Sequence, residues 1–214
     1  MRKERLVTFI DGQNLYRTCK EAFGYHYPNY DVNKLSQKIA KENGWSLSRI
    51  NFYTGIPDSA EDTFWHGFWS KKLAVMGTRG VHTFRRTVRY QDEKVKLKDG
   101  SVEIIRVGHE KGIDVRLALD VVRLALENAY DVAVIFSQDQ DLSEVVDDIN
   151  IISKKNNRLI RIFSAYPVSP IYRNQRGIDK ARWIKMDKAF YDACIDPIDY
   201  RPKDTFNPLF TDLK

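Results

Sequence analysis

Apolar residues along the chain form short continuous runs that alternate with segments of helical spacing. Two runs, 6–10 and 132–136, are typical of strands buried on both faces of a parallel sheet. The segment after the second run has an apolar helical face formed by Leu142, Val145, Val146 and Ile149. This alternation predicts an α/β fold with a mostly parallel central sheet flanked by helices on both faces.

The same patterns give an order of elements. We predict strands over 5–10, 49–54, 81–90, 131–136 and 158–163, and helices ending near 23, 43 and 76, from 113 onward and after 142. Asp99 and Gly100 predict a hairpin turn at 98–101, as an insertion or an extended edge. One domain would cover residues 1–190, followed by a C-terminal surface tail over 191–214 with three prolines.

Composition narrows the class of protein. The 214 residues are 43% apolar and 30% charged, as expected for a globular chain, and 35 basic against 29 acidic side chains give a net charge of +6. No apolar run approaches the roughly 20 residues that span a bilayer. Cys19 and Cys194 are too few for a disulfide framework or a zinc site. We therefore expect a cytoplasmic protein without membrane contact, and a homo-oligomer is compatible with the sequence.

Four aspartates follow strands or begin helices in the predicted fold. Asp11 follows the first strand, Asp139 and Asp141 follow strand 131–136, and Asp114 begins a helix. Because ligands bind beyond the carboxyl ends of parallel strands, we expect these side chains to meet at one edge of the sheet. Close carboxylates repel by about 4 kcal/mol per pair, which a divalent cation would offset. Singly, each aspartate could instead cap a helix.

Three further side chains lie next to these aspartates. Asn14, three residues after Asp11, could orient a water or a phosphate oxygen, or simply complete the helix entry. Ser137 could hydrogen-bond a metal-bound carboxylate, and Lys111 is a plausible phosphate contact. Asp120 shares a helical face with Arg116 and Arg123, which predicts a solvated salt-bridged face outside the site.

Basic residues are concentrated in the segment 79–98. Arg85, Arg86 and Arg89 would lie on a strand that leads into a lysine-rich hairpin. One hypothesis is that this ribbon grips a nucleic-acid backbone beside the acidic site. The alternative is an edge strand that its lysines protect from aggregation. A tyrosine-rich loop over 24–30 could stack unpaired bases or serve packing or a subunit contact.

Three ordered motifs carry a resemblance to a known family. The chain resembles the NYN domains, the LabA-like branch of the PIN-like nuclease superfamily, over about residues 5–165. The motifs are Phe9-Ile10-Asp11-Gly12-Gln13-Asn14-Leu15, Lys111-Gly112-Ile113-Asp114-Val115 and Ser137-Gln138-Asp139-Gln140-Asp141-Leu142. The turn at 53–57 is also similar. Gln138 and Gln140 stand where that family usually has Gly and Ser.

The resemblance implies a PIN-like, Rossmann-like three-layer fold and Mg²⁺- or Mn²⁺-dependent cleavage of RNA phosphodiesters, with RNA favoured over DNA. By motif match, Asp11, Asp114 and Asp139 would coordinate the metal and Asp141 would complete the acidic pocket. A catalytically impaired nucleic-acid-binding module of the same fold is one alternative. A phosphatase or nucleotide hydrolase is another, although the first strand lacks a second aspartate two residues after Asp11.

Overall fold

The computed structural model of the chain describes residues 2–96 and 100–202. The described residues form strands and helices that alternate for most of the chain. In order these are β1 (Arg5–Asp11), α1 (Gly12–Phe23), α2 (Val32–Asn43), β2 (Ser46–Ile56), α3 (Thr63–Thr78), β3 (His82–Thr87), β4 (Arg89–Lys96), β5 (Val102–His109), α4 (Ile113–Leu126), β6 (Val132–Phe136), α5 (Ser143–Lys155), β7 (Arg161–Pro167), β8 (Arg182–Met186) and α6 (Lys188–Asp192).

Within the described residues, six strands form one parallel sheet in the order β3-β2-β1-β6-β7-β8. The chain runs outward from β1 through β2 to β3 and then returns to β6, beside β1. The switch point of a parallel sheet, where ligands commonly bind, therefore lies between β1 and β6. Asp11 is the last residue of β1, so its side chain lies at this point.

Helices cover both faces of the sheet. Alternate side chains of β1 face opposite layers: Leu6 packs with α1, α2 and α3, whereas Phe9 packs with α4 and α5. The two apolar cores lie on opposite sides of one sheet, which makes a three-layer arrangement. The predicted α/β fold with a mostly parallel sheet and an additional hairpin is thus confirmed.

The hairpin is a separate antiparallel pair, β4–β5, between the edge strand β3 and α4. The single strand predicted over 81–90 is wrong, because the chain leaves the sheet after Thr87. The Val88 amide still donates to the Ile56 carbonyl oxygen (2.9 Å), and Arg89 then pairs with His109 in the hairpin. Asp99 of the predicted turn lies outside the described residues.

The end of the sheet also differs from the prediction. The strand predicted over 158–163 begins only at Arg161, because the Arg158 amide donates to the Ser153 carbonyl oxygen at the end of α5 (3.0 Å). The Arg158 guanidinium donates to the Ala125 and Tyr130 carbonyl oxygens. The sequence prediction omitted β8 altogether. Three of its five residues are exposed, including Trp183, so the strand has no buried apolar run.

The segment after residue 190 packs against the core where it is described. A surface tail was predicted from residue 191, whereas Tyr191, Cys194 and Tyr200 are buried in the structure. The Tyr200 ring lies 6.0 Å from that of Phe68 in α3. Aromatic side chains spaced among the prolines supply apolar area that the composition of this segment does not suggest. Residues 203–214 lie outside the described part of the chain.

The tyrosine-rich loop at 24–30 serves packing. Tyr30 is fully buried, and its hydroxyl donates to the Gly12 carbonyl oxygen (3.0 Å). Tyr25 stacks on Tyr191 with the ring centroids 5.3 Å apart.

Among the described helices, none has the length and apolar character needed to cross a bilayer.

Candidate active site

A cavity of about 700 Å³ opens at the carboxyl end of β1. Asp11, Asp114 and Asp139, from three separate segments, all line it. One face of α1, the start of α3 and the base of the hairpin form the remaining walls. The fold therefore brings together three of the four aspartates that the sequence singled out.

Asp11 is the most buried carboxylate in this cavity, with only 4% of the residue exposed. It is the N-cap of α1 and accepts a hydrogen bond from the Asn14 amide (3.0 Å) and one from the Ser137 hydroxyl (3.2 Å). Burial, followed by the nearby charges of Asp114 and Glu110, outweighs these bonds and raises the pKa of Asp11 to about 7. The ionised form of Asp11 is thus disfavoured relative to a free aspartate, and a positive charge in the cavity would restore it.

Asp114 lies in the first turn of α4, two residues after Gly112. Gly112 is the N-cap of this helix and has a φ of 71°. Partial desolvation and the charges of Asp139 and Asp141 raise the pKa of Asp114. Asp139 accepts a hydrogen bond from the Asp141 amide (3.0 Å) and begins a single 3-10 turn, Gln140–Leu142. Asp141 itself is exposed and is not among the residues lining the cavity, although its charge acts on Asp114.

Two further carboxylates that the sequence did not single out line the cavity, Glu110 and Asp62, the N-cap of α3. Glu110 lies at the base of the hairpin. It accepts a hydrogen bond from the Gly55 amide at the end of β2, and a β-carbon on Gly55 would lie 2.0 Å from its Oε1 atom. Desolvation, with a contribution from Asp114, raises the pKa of Glu110. Glu110 follows the hairpin and not a strand of the parallel sheet. The prediction of acidic residues at the carboxyl ends of sheet strands therefore did not include it.

Asn14 and Ser137 tie the two central strands together at the site. The Asn14 side-chain oxygen accepts a hydrogen bond from the Gln138 amide (3.0 Å), which links the start of α1 to the turn after β6. The Ser137 hydroxyl contacts Asp11 and also accepts from the Asp139 amide (3.1 Å). Both side chains therefore fix the relative positions of Asp11 and Asp139.

Gln138 and Gln140 anchor the turn to the loop before β8. The buried Gln138 amide group donates to two carbonyl oxygens of that loop and accepts from the Tyr172 hydroxyl (2.8 Å). Gln140 donates to the Gly177 carbonyl oxygen (3.0 Å) and accepts from the Asp179 amide (3.1 Å). Neither glutamine requires a positive φ. The two glutamine side chains, which are larger than the Gly and Ser expected at these positions, thus attach the turn to the neighbouring loop.

The predicted phosphate-binding cations lie outside the cavity lining. Arg85, Arg86, Arg89 and Lys111 are all exposed. Arg86 lies over the Phe84 ring and donates to the Lys111 carbonyl oxygen (3.1 Å), so it holds the segment that leads into α4. The cationic side chains that do line the cavity are Arg17 and Lys20, on the same face of α1 as Gln13 and Tyr16.

Asp120 lies outside the site, as predicted, but its surroundings differ from the prediction. It forms ion pairs with Arg116 (2.9 Å) and Arg123 (3.0 Å), yet the residue is buried and also accepts from the Tyr53 hydroxyl (3.0 Å). Burial raises the pKa of Asp120, but the hydrogen bonds from Arg116, Arg123 and Tyr53 together outweigh this effect. The pKa of Asp120 is therefore lowered overall. Asp120 therefore joins α4 to the sheet.

The carboxylates have the donor chemistry of a site for a hard divalent cation. The charges of Asp114 and Glu110 contribute to the raised pKa of Asp11, and that of Asp114 contributes to the raised pKa of Glu110. The charges of Asp139 and Asp141 likewise raise the pKa of Asp114, and a bound cation would offset this repulsion. Among the residues that the structure describes, however, no three His, Cys, Asp or Glu side chains converge closely enough to hold an ion as they stand. The cavity thus supplies the ligand types, and the side chains would have to close around the ion.

Comparison with solved structures supports the fold. The chain is similar to a protein of unknown function, VPA0982, from Vibrio parahaemolyticus RIMD 2210633, with 21% identity and a TM-score of 0.53 over 89% of this chain and 99% of that one. A likeness to MurG of Acinetobacter baumannii is too distant to bear on the fold, with 5% identity and a TM-score of 0.33 over 85% of this chain and 45% of that one. No curated protein matches the chain.

A family model describes most of the chain. The model of the NYN domain matches residues 5–168, which include β1, the hairpin, α4 and the turn after β6. All the carboxylates of the cavity fall within this range. The six-stranded sheet with helices on both faces, in the described residues, is consistent with a PIN-like fold. The chain therefore belongs to the NYN domain family.

Proposed function

We propose that this protein is a metal-dependent nuclease that cleaves phosphodiester bonds in RNA, in preference to DNA. The observation that supports this most strongly is the shared cavity of Asp11, Asp114 and Asp139, in which burial, with the charges of Asp114 and Glu110, raises the pKa of Asp11 to about 7. Such a cluster is costly unless a cation occupies it. Membership of the NYN family also supports the proposal, because this family is part of a nuclease-like superfamily. The preference for RNA rests on the resemblance of the sequence motifs.

The residues divide into ligands and positioning groups in this proposal. Asp11, Asp114 and Asp139 would hold Mg²⁺ or Mn²⁺, and Ser137 and Asn14 would fix Asp11 against the turn that carries Asp139. The ion would lower the pKa of a bound water and stabilise charge on the scissile phosphate. Glu110, which lines the cavity, would accept the proton of the attacking water, and Asp141 would add negative charge beside Asp114 from outside the lining.

Arg85, Arg89 and Lys111 would bind the nucleic-acid backbone outside the cavity. All three are exposed: Arg85 lies in the edge strand β3, Arg89 begins β4 of the hairpin, and Lys111 precedes α4. Exposed cations bind phosphates without reading sequence. Arg86 would contribute less, because its guanidinium already donates to the Lys111 carbonyl oxygen.

Cleavage of a labelled RNA strand with Mg²⁺, Mn²⁺ or EDTA tests the proposal. We expect cleavage with either metal and none with EDTA. Asp11→Asn and Asp139→Asn should each lose at least about a hundredfold in rate, the scale observed when one group that stabilises developing transition-state charge is removed. Asp187→Asn, at the exposed N-cap of α6, is the matched control and should cleave normally. Equal activity of the wild type with and without metal would refute metal dependence.

One observation favours a second candidate, a nucleic-acid-binding module without catalysis. Among the described residues, no three potential ligands lie close enough together to hold a metal ion, which is the arrangement expected of a domain that has lost its catalytic metal site. The same assay separates the two candidates. Tight RNA binding by the wild type, with no cleavage in either metal, would favour the module.

A further inference from the structure

Among the described residues, the aromatic side chains of Tyr16, Trp65, Trp69 and Tyr90 line the cavity beside the carboxylates, and those of Trp65 and Tyr90 are half-buried. Trp65 lies in the first turn of α3, where its amide donates to the Asp62 carboxylate (2.9 Å). Its ring packs against Tyr16 (6.0 Å between centroids) and Phe68 (5.2 Å), yet the residue is only half-buried. The indole is therefore held in place while part of its surface is open to the cavity.

Tyr90 is the aromatic side chain that the hairpin contributes to the cavity wall. It lies opposite Gly108 in the β4–β5 ladder, and both residues line the cavity. A β-carbon on Gly108 would lie 3.0 Å from Tyr90 Cε1 and 2.8 Å from Val88 Cγ1. Glycine at this position thus lets the Tyr90 ring lie against the backbone of β5, which fixes the ring at the cavity wall.

Arg17 and Lys20 supply the positive charge of the cavity. They lie on one face of α1, and both are exposed. In the described part of the chain, neither side chain forms an ion pair, although the charge of Arg17 acts on Glu110. Two unpaired cations at the rim of an acidic cavity are suited to phosphates that flank the reacting one.

We propose that the cavity binds one unpaired nucleobase against Trp65 and Tyr90, while Arg17 and Lys20 bind the phosphates beside that nucleotide. This assignment rests on the proposed nuclease function, because it places the scissile phosphate next to Asp11. A volume of about 700 Å³ is within the range of small-ligand sites. A base can reach an aromatic ring inside a cavity only when it is unpaired, so the subsite selects single-stranded segments.

Equilibrium binding in EDTA tests this subsite independently of catalysis. The probes are a fluorescent eight-nucleotide RNA strand that is entirely abasic and the same strand with one central uracil. Stacking of one base adds about 1–3 kcal/mol, so the uracil should tighten binding by roughly 5- to 150-fold. Trp65→Leu and Tyr90→Ala should each remove most of this gain without altering the affinity for the abasic strand, and Trp65→Phe should restore part of it.

The cations have a different signature in the same assay. Lys20→Gln should weaken binding of both strands equally and reduce the slope of log affinity against log salt by about 0.7. Lys71→Gln, at an exposed lysine of α3 outside the cavity lining, is the matched control and should change neither strand's affinity. Wild-type protein that binds both strands equally would overturn the proposal, and this comparison needs no variant to fold. Failure of metal-dependent cleavage, with the uracil gain intact, would refute the nuclease and leave the base-binding site.

Discussion

Replacing Asp11 with asparagine should stabilise the metal-free protein, by an amount that depends on pH. Burial raises the pKa of this carboxyl from 3.8 to about 7 in the folded state. The folded protein thus binds this proton more tightly than the unfolded chain does. The stability that Asp11 contributes is complete below about pH 3.8 and is lost as the pH rises through about 7. About three pKa units correspond to an upper bound of about 4 kcal/mol.

The asparagine side chain of the Asp11→Asn variant would keep the existing hydrogen bonds. Its oxygen can accept from the Asn14 amide, and its NH₂ group can donate to the Ser137 hydroxyl, which is also an acceptor. Urea unfolding in EDTA at pH 4, 6 and 8 measures the difference in the free energy of unfolding between Asp11→Asn and the wild type. At pH 8 the variant's midpoint should be higher by about 1 M, for an m-value near about 3 kcal/mol/M. At pH 4 the two proteins should be nearly equal.

Asp187→Asn controls for the exchange of a capping carboxylate, because Asp187 caps α6 on the exposed surface. A stability difference that is the same at pH 4 and pH 8 would show that the charge of Asp11 does not strain the fold. An Asp11→Asn protein less stable than the wild type at pH 8 would contradict the reasoning altogether.

Three further variants test the parts of the site that surround Asp11. Gly55→Ala places a β-carbon against the Glu110 carboxyl, so it should displace that flexible side chain and lower the cleavage rate with little change in the free energy of urea unfolding; an unchanged cleavage rate would contradict a role for Glu110 at this position. Gln138→Ala leaves two carbonyl oxygens and the Tyr172 hydroxyl without their partner, so it should cost about 2–3 kcal/mol and lower the melting temperature by about 5–10 °C, whereas exposed Gln175→Ala should cost less. Arg85→Ala combined with Arg89→Ala should flatten the salt dependence of RNA binding, and an unchanged slope would remove these residues from the interface.

The sequence predicted the centre of the fold well because the central strands are its most apolar segments. β1 and β6 are buried on both faces, so continuous apolar runs mark them, and the aspartates that follow lie where a parallel sheet places ligands. The edges were predicted less well. β8 is largely exposed, and only Val88 separates β3 from β4, without glycine or proline to mark the change.

The cavity walls depend on contacts that a linear pattern does not contain. Glu110 enters the site because the hairpin returns it to the end of β2, and Gly55 leaves room for it. Trp65 belongs to an aromatic series whose helical spacing predicts core packing. In the structure its ring also contacts Tyr16 of α1 and lines the cavity, and this position depends on how α3 packs beside α1. Arg17 and Lys20 share a helix face with Gln13, a signal that was present in the sequence but needed the site's location to be recognised.

Anomalous diffraction from a crystal soaked in Mn²⁺ tests the central claim most directly. We predict a strong peak in the cavity, in contact with Asp11 and with at least one of Asp114 and Asp139, and no such peak in Asp11→Asn crystals. A wild-type crystal that shows no Mn²⁺ in the cavity at millimolar concentration would contradict the proposal that these carboxylates hold a catalytic ion.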